Sequence, residues 1–177
     1  MRNLLLASAA LLAVYAFRRA GEQGVEPGAP TLPTAHFTLE ELTTTGSGLR
    51  NVPTSAQKAN LALMATHVLE PLRAQFGPLR VTSGFRSPAV NSAAGGSSTS
   101  AHMDGRAADL YSMAGKSAAT MAAWLYGQPL LPLRQIIVEN HTGHLHVEMQ
   151  PPGQSFKRQF LSTDDGRSYQ NWSLANV

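Results

Sequence analysis

The sequence predicts an α+β domain, a small antiparallel sheet with flanking helices. Three observations carry that expectation. Two capping signatures, Thr38 with Glu41 and Thr54 with Gln57, open helical stretches. Several short apolar runs bounded by turn residues read as strands. These helices and strands are interspersed, and the later strands are joined by tight turns. At 177 residues the chain is long enough to bury one sizeable core.

The elements follow in order. Met1-Arg2 precedes an apolar run from Leu4 to Phe17, and Arg18-Arg19 closes it. A positive start before an apolar stretch is the pattern of an export signal. As a helix the run reaches about 21 Å at 1.5 Å per residue, short of the roughly 30 Å hydrocarbon core. It has no polar face, which argues against a buried surface helix. Residues 1–20 are therefore expected to be a signal anchor or signal peptide, and 21–34 a flexible linker rich in Gly, Pro and Glu. The globular domain is expected over 35–177. A short helix should run through Glu40-Glu41-Leu42. A longer one follows Thr54, with an apolar stripe of Leu61, Met64, Val68, Leu69, Leu72 and Phe76. Pro71 is a candidate kink and Gly77 a stop. Leu79 to Ser83 reads as a strand, Asn91 to Thr99 as a Gly/Ser-rich loop, and Asp109-Leu110-Tyr111 as the start of a second strand. Ser117 caps a helix that Gly127 ends. Arg134 to Glu139 and His144 to Met149 read as strands joined by the turn Asn140–Gly143. Asp165-Gly166 suggests a last hairpin.

Composition narrows the function. The net charge of +3 is mildly basic, and no basic run interleaves with aromatics, so nucleic-acid binding is not expected. The chain has no cysteine, which excludes a thiolate-type structural metal site.

The chemistry concentrates in Ser100–Asp109 and His144-Leu145-His146. Two imidazoles and a carboxylate suit a catalytic zinc, which takes three protein ligands and keeps a fourth position for water. His102, Asp109 and His146 form that set, with Asp104 as a rival carboxylate in an exposed turn. In the hairpin, Glu139 should face His144, and Ile137 should face His146. Side chains alternate along a strand, so Glu139, His144 and His146 share one face, and Leu145, Val147 and Met149 share the other. Glu139 is the expected general base; His144 and Glu148 are its rivals. Arg86 follows a strand in Ser83-Gly-Phe-Arg-Ser-Pro88 and could stabilise an oxyanion or hold a substrate carboxylate. His36 and His67 read as ordinary surface or helix residues, and His141 as a solvated turn residue.

At these residues the chain resembles the zinc D-Ala-D-Ala carboxypeptidase family of metallopeptidases, in particular its short, phage-type form. The pattern Ser-x-His-x-x-Gly-x-Ala-x-Asp is met by Ser100, His102, Gly105, Ala107 and Asp109. His-x-His is met by His144 and His146, and the arginine-bearing segment by Ser83–Pro88 with Asn91 following. The resemblance implies a zinc site on the sheet, the architecture shared with hedgehog-type signalling domains. It implies Zn2+ on His102, Asp109 and His146, with Arg86 as the substrate or transition-state arginine. It also implies peptidoglycan stem peptides as substrate, cut by a carboxypeptidase or an endolysin-type endopeptidase. Many relatives carry the base glutamate three residues before the last ligand; here that position is Gly143. The expected location is exported, either membrane-anchored through the N-terminal apolar segment or periplasmic or extracellular. The alternative is a non-catalytic zinc domain that binds wall peptide or a protein partner.

Overall fold

The computed structural model describes residues 31–154 and 157–176. The apolar run Leu4–Phe17 and most of the expected linker lie outside the described residues. Among the described residues no helix is long and apolar enough to cross a membrane.

Thr38 caps α1 (Leu39–Thr43), its side chain accepting from the Glu41 amide. The Thr54–Gln57 capping box is complete at the head of α2 (Ser55–Met64). The same helical run then passes through a π turn at Ala65–Leu69 and resumes as α3 (Glu70–Phe76), with Pro71 in the first turn of α3. Proline has no amide to give and its ring crowds the turn before it; a wider turn relieves both. The widening also carries His67 inward beside Val68 and Leu69. His67 is therefore a buried residue, not a surface one, and burial pushes its pKa down. Gly77 ends the run at φ +80°.

The Gly/Ser-rich stretch begins later than the sequence suggests. Ser87 caps and Pro88 opens a short helix, α4 (Pro88–Ala93), which places Asn91 on a helix instead of in the loop. Ser117 caps α5 (Ala118–Tyr126).

Six strands form one sheet: β1 (Leu79–Ser83), β2 (Ala107–Ser112), β3 (Leu133–Glu139), β4 (His144–Met149), β5 (Gln159–Thr163) and β6 (Gln170–Asn171), in the order β1-β2-β4-β3-β5-β6. The sheet is mixed, not wholly antiparallel, because β5 runs parallel to β3. Topology dictates this. Strand β4 lies between β2 and β3, so it has no free edge. The chain leaving β4 crosses to the far edge of β3, and there it runs in the direction of β3. The expected hairpin around Asp165-Gly166 is present as the antiparallel pair β5–β6.

The β3–β4 register matches the expected one, with Glu139 opposite His144 and Ile137 opposite His146. A one-residue slip would turn every side chain to the other face. What prevents it is the buried face: Leu110, Ile136, Leu145, Val147 and Met149 are fully buried with Leu61, Met64, Leu69 and Leu72 of the α2–α3 run and Met121 and Leu125 of α5. Each such side chain contributes roughly 1.5–3 kcal/mol by burial. A slip would forfeit several of these at once, so the opposite face is free to carry polar chemistry.

Candidate metal centre

On that opposite face, Asp109 of β2 is the cross-strand partner of His146 of β4. His102 reaches the same point from a single 3-10 turn, Ala101–Asp104. The possible ligand atoms of His102, Asp109 and His146 all lie within 4.8 Å of one another. The cluster sits just below the surface, with His102 2% and Asp109 8% exposed.

Several contacts hold the His102 turn in place. Gly105 closes it in the left-handed conformation, φ +72°. A Cβ there would stand 2.6 Å from the Gln57 carbonyl oxygen, so glycine is required by both dihedral and space. Gln57 Nε2 donates to the Met103 carbonyl and Asn60 Nδ2 to the Asp104 carbonyl, both at 2.8 Å, which moors the turn to α2. From the other side, the Arg86 amide donates to the His102 carbonyl at 3.1 Å. Gly84 lets β1 approach α1, since a Cβ there would meet the Leu42 carbonyl oxygen at 2.3 Å. Asn51 clamps the same segment: its Nδ2 donates to the carbonyls of Thr43 and Phe85, and its Oδ1 accepts from the Ser87 amide.

The donor set suits a cation. His102 Nδ1 lies 2.6 Å from the Gly84 carbonyl oxygen, which must accept, so Nδ1 carries a proton and Nε2 is the ring nitrogen turned toward the cluster. That Nε2 faces Asp109 Oδ1 at 3.3 Å, and His146 Nδ1 faces the same oxygen at 2.7 Å. Either a proton on each ring nitrogen or a shared cation satisfies this arrangement of carboxylate oxygen and imidazole nitrogens. Burial pushes the Asp109 carboxyl up, but the two imidazoles outweigh it and hold it well below the usual carboxylate range. Burial opposes a charged His146, yet the hydrogen bond to Asp109 and the charges of Asp109, Glu148 and Glu139 raise its pKa. A group of this composition could hold a metal ion.

The other expected residues occupy distinct places around it. Arg86 forms a close ion pair through Nη2 with Asp109 Oδ2, while its Nε donates to Ser83 Oγ at 2.7 Å. It also lines a cleft of about 290 Å³ with Thr44, Thr45, Ser47 and Thr82. Glu139 is half-buried at the end of β3, where its carboxylate accepts from Thr142. His144 stacks on Tyr111 with ring centroids 5.8 Å apart and planes 9° from parallel. Glu148 is buried and committed to arginines, to Arg134 at 2.5 Å and Arg106 at 3.6 Å. Asp104 is exposed and paired with Arg106, away from the cluster. His36, an exposed residue as expected, is tied to the distant Glu70 through Nδ1 at 2.7 Å. His141 is exposed in its turn.

The sequence marks Gln57 only as a helix cap and Tyr111 only as a strand residue, and its local patterns assign no site role to Gln57, Asn60, Asn51 or Tyr111. The first three act on backbone groups far along the chain, which no local pattern marks. Tyr111 was legible in principle, as the next residue on the Asp109 face of β2.

A family model described as Peptidase M15 matches residues 35–148. No curated protein matches the chain.

Proposed function

Because the chain belongs to the peptidase M15 family, whose members are metal-dependent, we propose that it is a zinc metallopeptidase of peptidoglycan stem peptides. His102, Asp109 and His146 are the proposed zinc ligands. The observation that carries this reading is the convergence of these three side chains within 4.8 Å on the polar face of the sheet. Nitrogen and oxygen donors without thiolate fit a hydrolytic zinc. When bound, zinc supplies Lewis acidity, polarising the scissile carbonyl and lowering the pKa of water.

The protein's own residues do the rest. Glu139 takes the proton from the attacking water and returns it to the leaving amine. It is chosen over Glu148 because two guanidiniums already hold Glu148, whereas Glu139 stands at the open end of β3 on the ligand face. Arg86, fixed by Ser83 and Asp109 beside the ligand set, is the proposed group that stabilises charge developing on the substrate oxygen. Location outside the cytoplasm is part of the same reading. It is supported by the apolar run Leu4–Phe17 behind Arg2, followed by a Pro/Gly linker. Arg18 and Arg19 pull the other way, since positive charges tend to stay cytoplasmic.

Zymography on purified peptidoglycan, with and without a chelator, tests the activity. Clearing that the chelator abolishes and zinc restores is expected. Binding to the wall without clearing would favour the non-catalytic reading instead. Glu139→Gln should keep its zinc and lose on the order of 10²–10⁴-fold in turnover; full activity there, with Glu148→Gln or His144→Ala dead, would move the base elsewhere. Fractionation of cells expressing the full chain or a form starting at Ala35 tests the location. Full-length protein confined to the cytosol would overturn export.

A further inference from the structure

We infer that Thr142 is a positioning residue that aims the Glu139 carboxylate. The inference rests on the reading of Glu139 as the base. Thr142 Oγ1 donates to Glu139 Oε2 at 3.0 Å, the Glu139 carbonyl oxygen being a more distant acceptor at 3.4 Å, and accepts from the His144 amide at 3.2 Å. A hydroxyl has one proton and two lone pairs, so both bonds are compatible. One side chain thus ties the last residue of β3 to the first residue of β4.

The backbone of this turn is fixed independently. Gly143 turns the chain at φ +74°, and its amide donates to the Glu139 carbonyl at 2.8 Å. From outside, the Asn140 amide donates to the Thr163 carbonyl at 2.9 Å, and Asn140 Nδ2 donates to Asp164 Oδ1 at 2.7 Å. Thr163, opposite Glu139 in the parallel β3–β5 pair, is buried. The main chain is therefore held before the Thr142 hydroxyl acts. What that hydroxyl adds is direction: a half-buried glutamate has several rotamers, and a hydrogen bond to one carboxylate oxygen selects among them. Glu148, by contrast, is aimed by arginines.

The test uses Thr142→Val, which keeps the side-chain shape without the hydroxyl, and Thr142→Ser, which keeps the hydroxyl. The probe is the synthetic stem pentapeptide L-Ala-γ-D-Glu-L-Lys-D-Ala-D-Ala, which offers four amide bonds, the terminal D-Ala-D-Ala bond among them, to the zinc-loaded full chain. Thr142→Val should lower kcat about tenfold with KM and zinc content unchanged, the size of effect a slightly misplaced catalytic group gives. Thr142→Ser should restore kcat. In a Glu139→Gln background Thr142→Val should cost nothing further, because the two residues act as a unit. Hydrogen exchange gives a readout without substrate: the His144 amide should exchange faster in Thr142→Val and at the parental rate in Thr142→Ser. An unchanged kcat in Thr142→Val, equal loss in Thr142→Ser, or the same loss with and without Glu139 overturns the inference. An inactive Glu139→Gln beside an unimpaired Thr142→Val sinks this inference alone. A fully active Glu139→Gln sinks the base reading and this inference with it.

Discussion

Asp109 joins the functions of the centre in one carboxylate. Its Oδ1 faces both imidazoles, and its Oδ2 takes the Arg86 guanidinium. Arg86 therefore orients the proposed ligand as well as facing the cleft, and an Arg86→Lys change would keep the charge while losing the fork that spans Ser83 and Asp109. The same carboxylate makes a proton the competitor of a metal. His146 is raised above its ordinary pKa of about 6.5, so in the metal-free protein it takes up a proton before an unperturbed histidine would. A ligand must release that proton to bind metal. Zinc affinity should therefore fall as pH drops through the raised pKa of His146, beginning above the value for a free histidine. Zinc titration against a competing chelator at a series of pH values measures this. Affinity that stays flat from alkaline pH down to pH ~6 would show that His146 does not ligate. That His102, Asp109 and His146 belong together was legible from residue chemistry and spacing, and they do cluster. The Arg86–Asp109 contact was not, because strand pairing, not sequence proximity, brings it about.

At the scale of elements, the centre depends on two turns and one register. The His102 turn is closed by Gly105 and moored to α2. Gly105→Ala would force a left-handed conformation on a residue whose Cβ meets the Gln57 carbonyl. A loss of about 1–3 kcal/mol is expected from the dihedral alone, with weaker zinc binding, because His102 rides on that turn. Denaturant unfolding with and without zinc checks both; a variant equal to the parent in both would show that the turn does not position His102. The β3–β4 hairpin was readable from sequence because alternation and a short turn leave one register that buries Leu145, Val147 and Met149. Elements set by long-range contacts were not readable. The parallel placement of β5 follows from the occupied edges of β4. Burial of His67 follows from a π turn ahead of Pro71. The α4 helix was missed although Ser87-Pro88 carries its start signal, because the Gly/Ser run just after it dominates the local composition.

At the scale of the whole molecule, the sheet divides the labour. One face packs against helices and supplies the core; the other presents a polar cluster in which ion pairs and hydrogen bonds between Asp109 and the two imidazoles outweigh the desolvation of its charged groups. The family match spans residues 35–148, so it includes every proposed ligand as well as Arg86, Glu139 and Thr142. Strands β5 and β6 lie beyond it, and Thr163 of β5 with the adjacent Asp164 braces the turn that follows Glu139. The central claim is that one metal ion, held by His102, Asp109 and His146, makes this fold a hydrolase. Elemental analysis of the purified full chain beside its His102→Ala, Asp109→Ala and His146→Ala variants tests it most directly. The account predicts one zinc per parent chain and loss of zinc from each variant, with Glu139→Gln remaining loaded. Full zinc occupancy in any of the three ligand variants would contradict it.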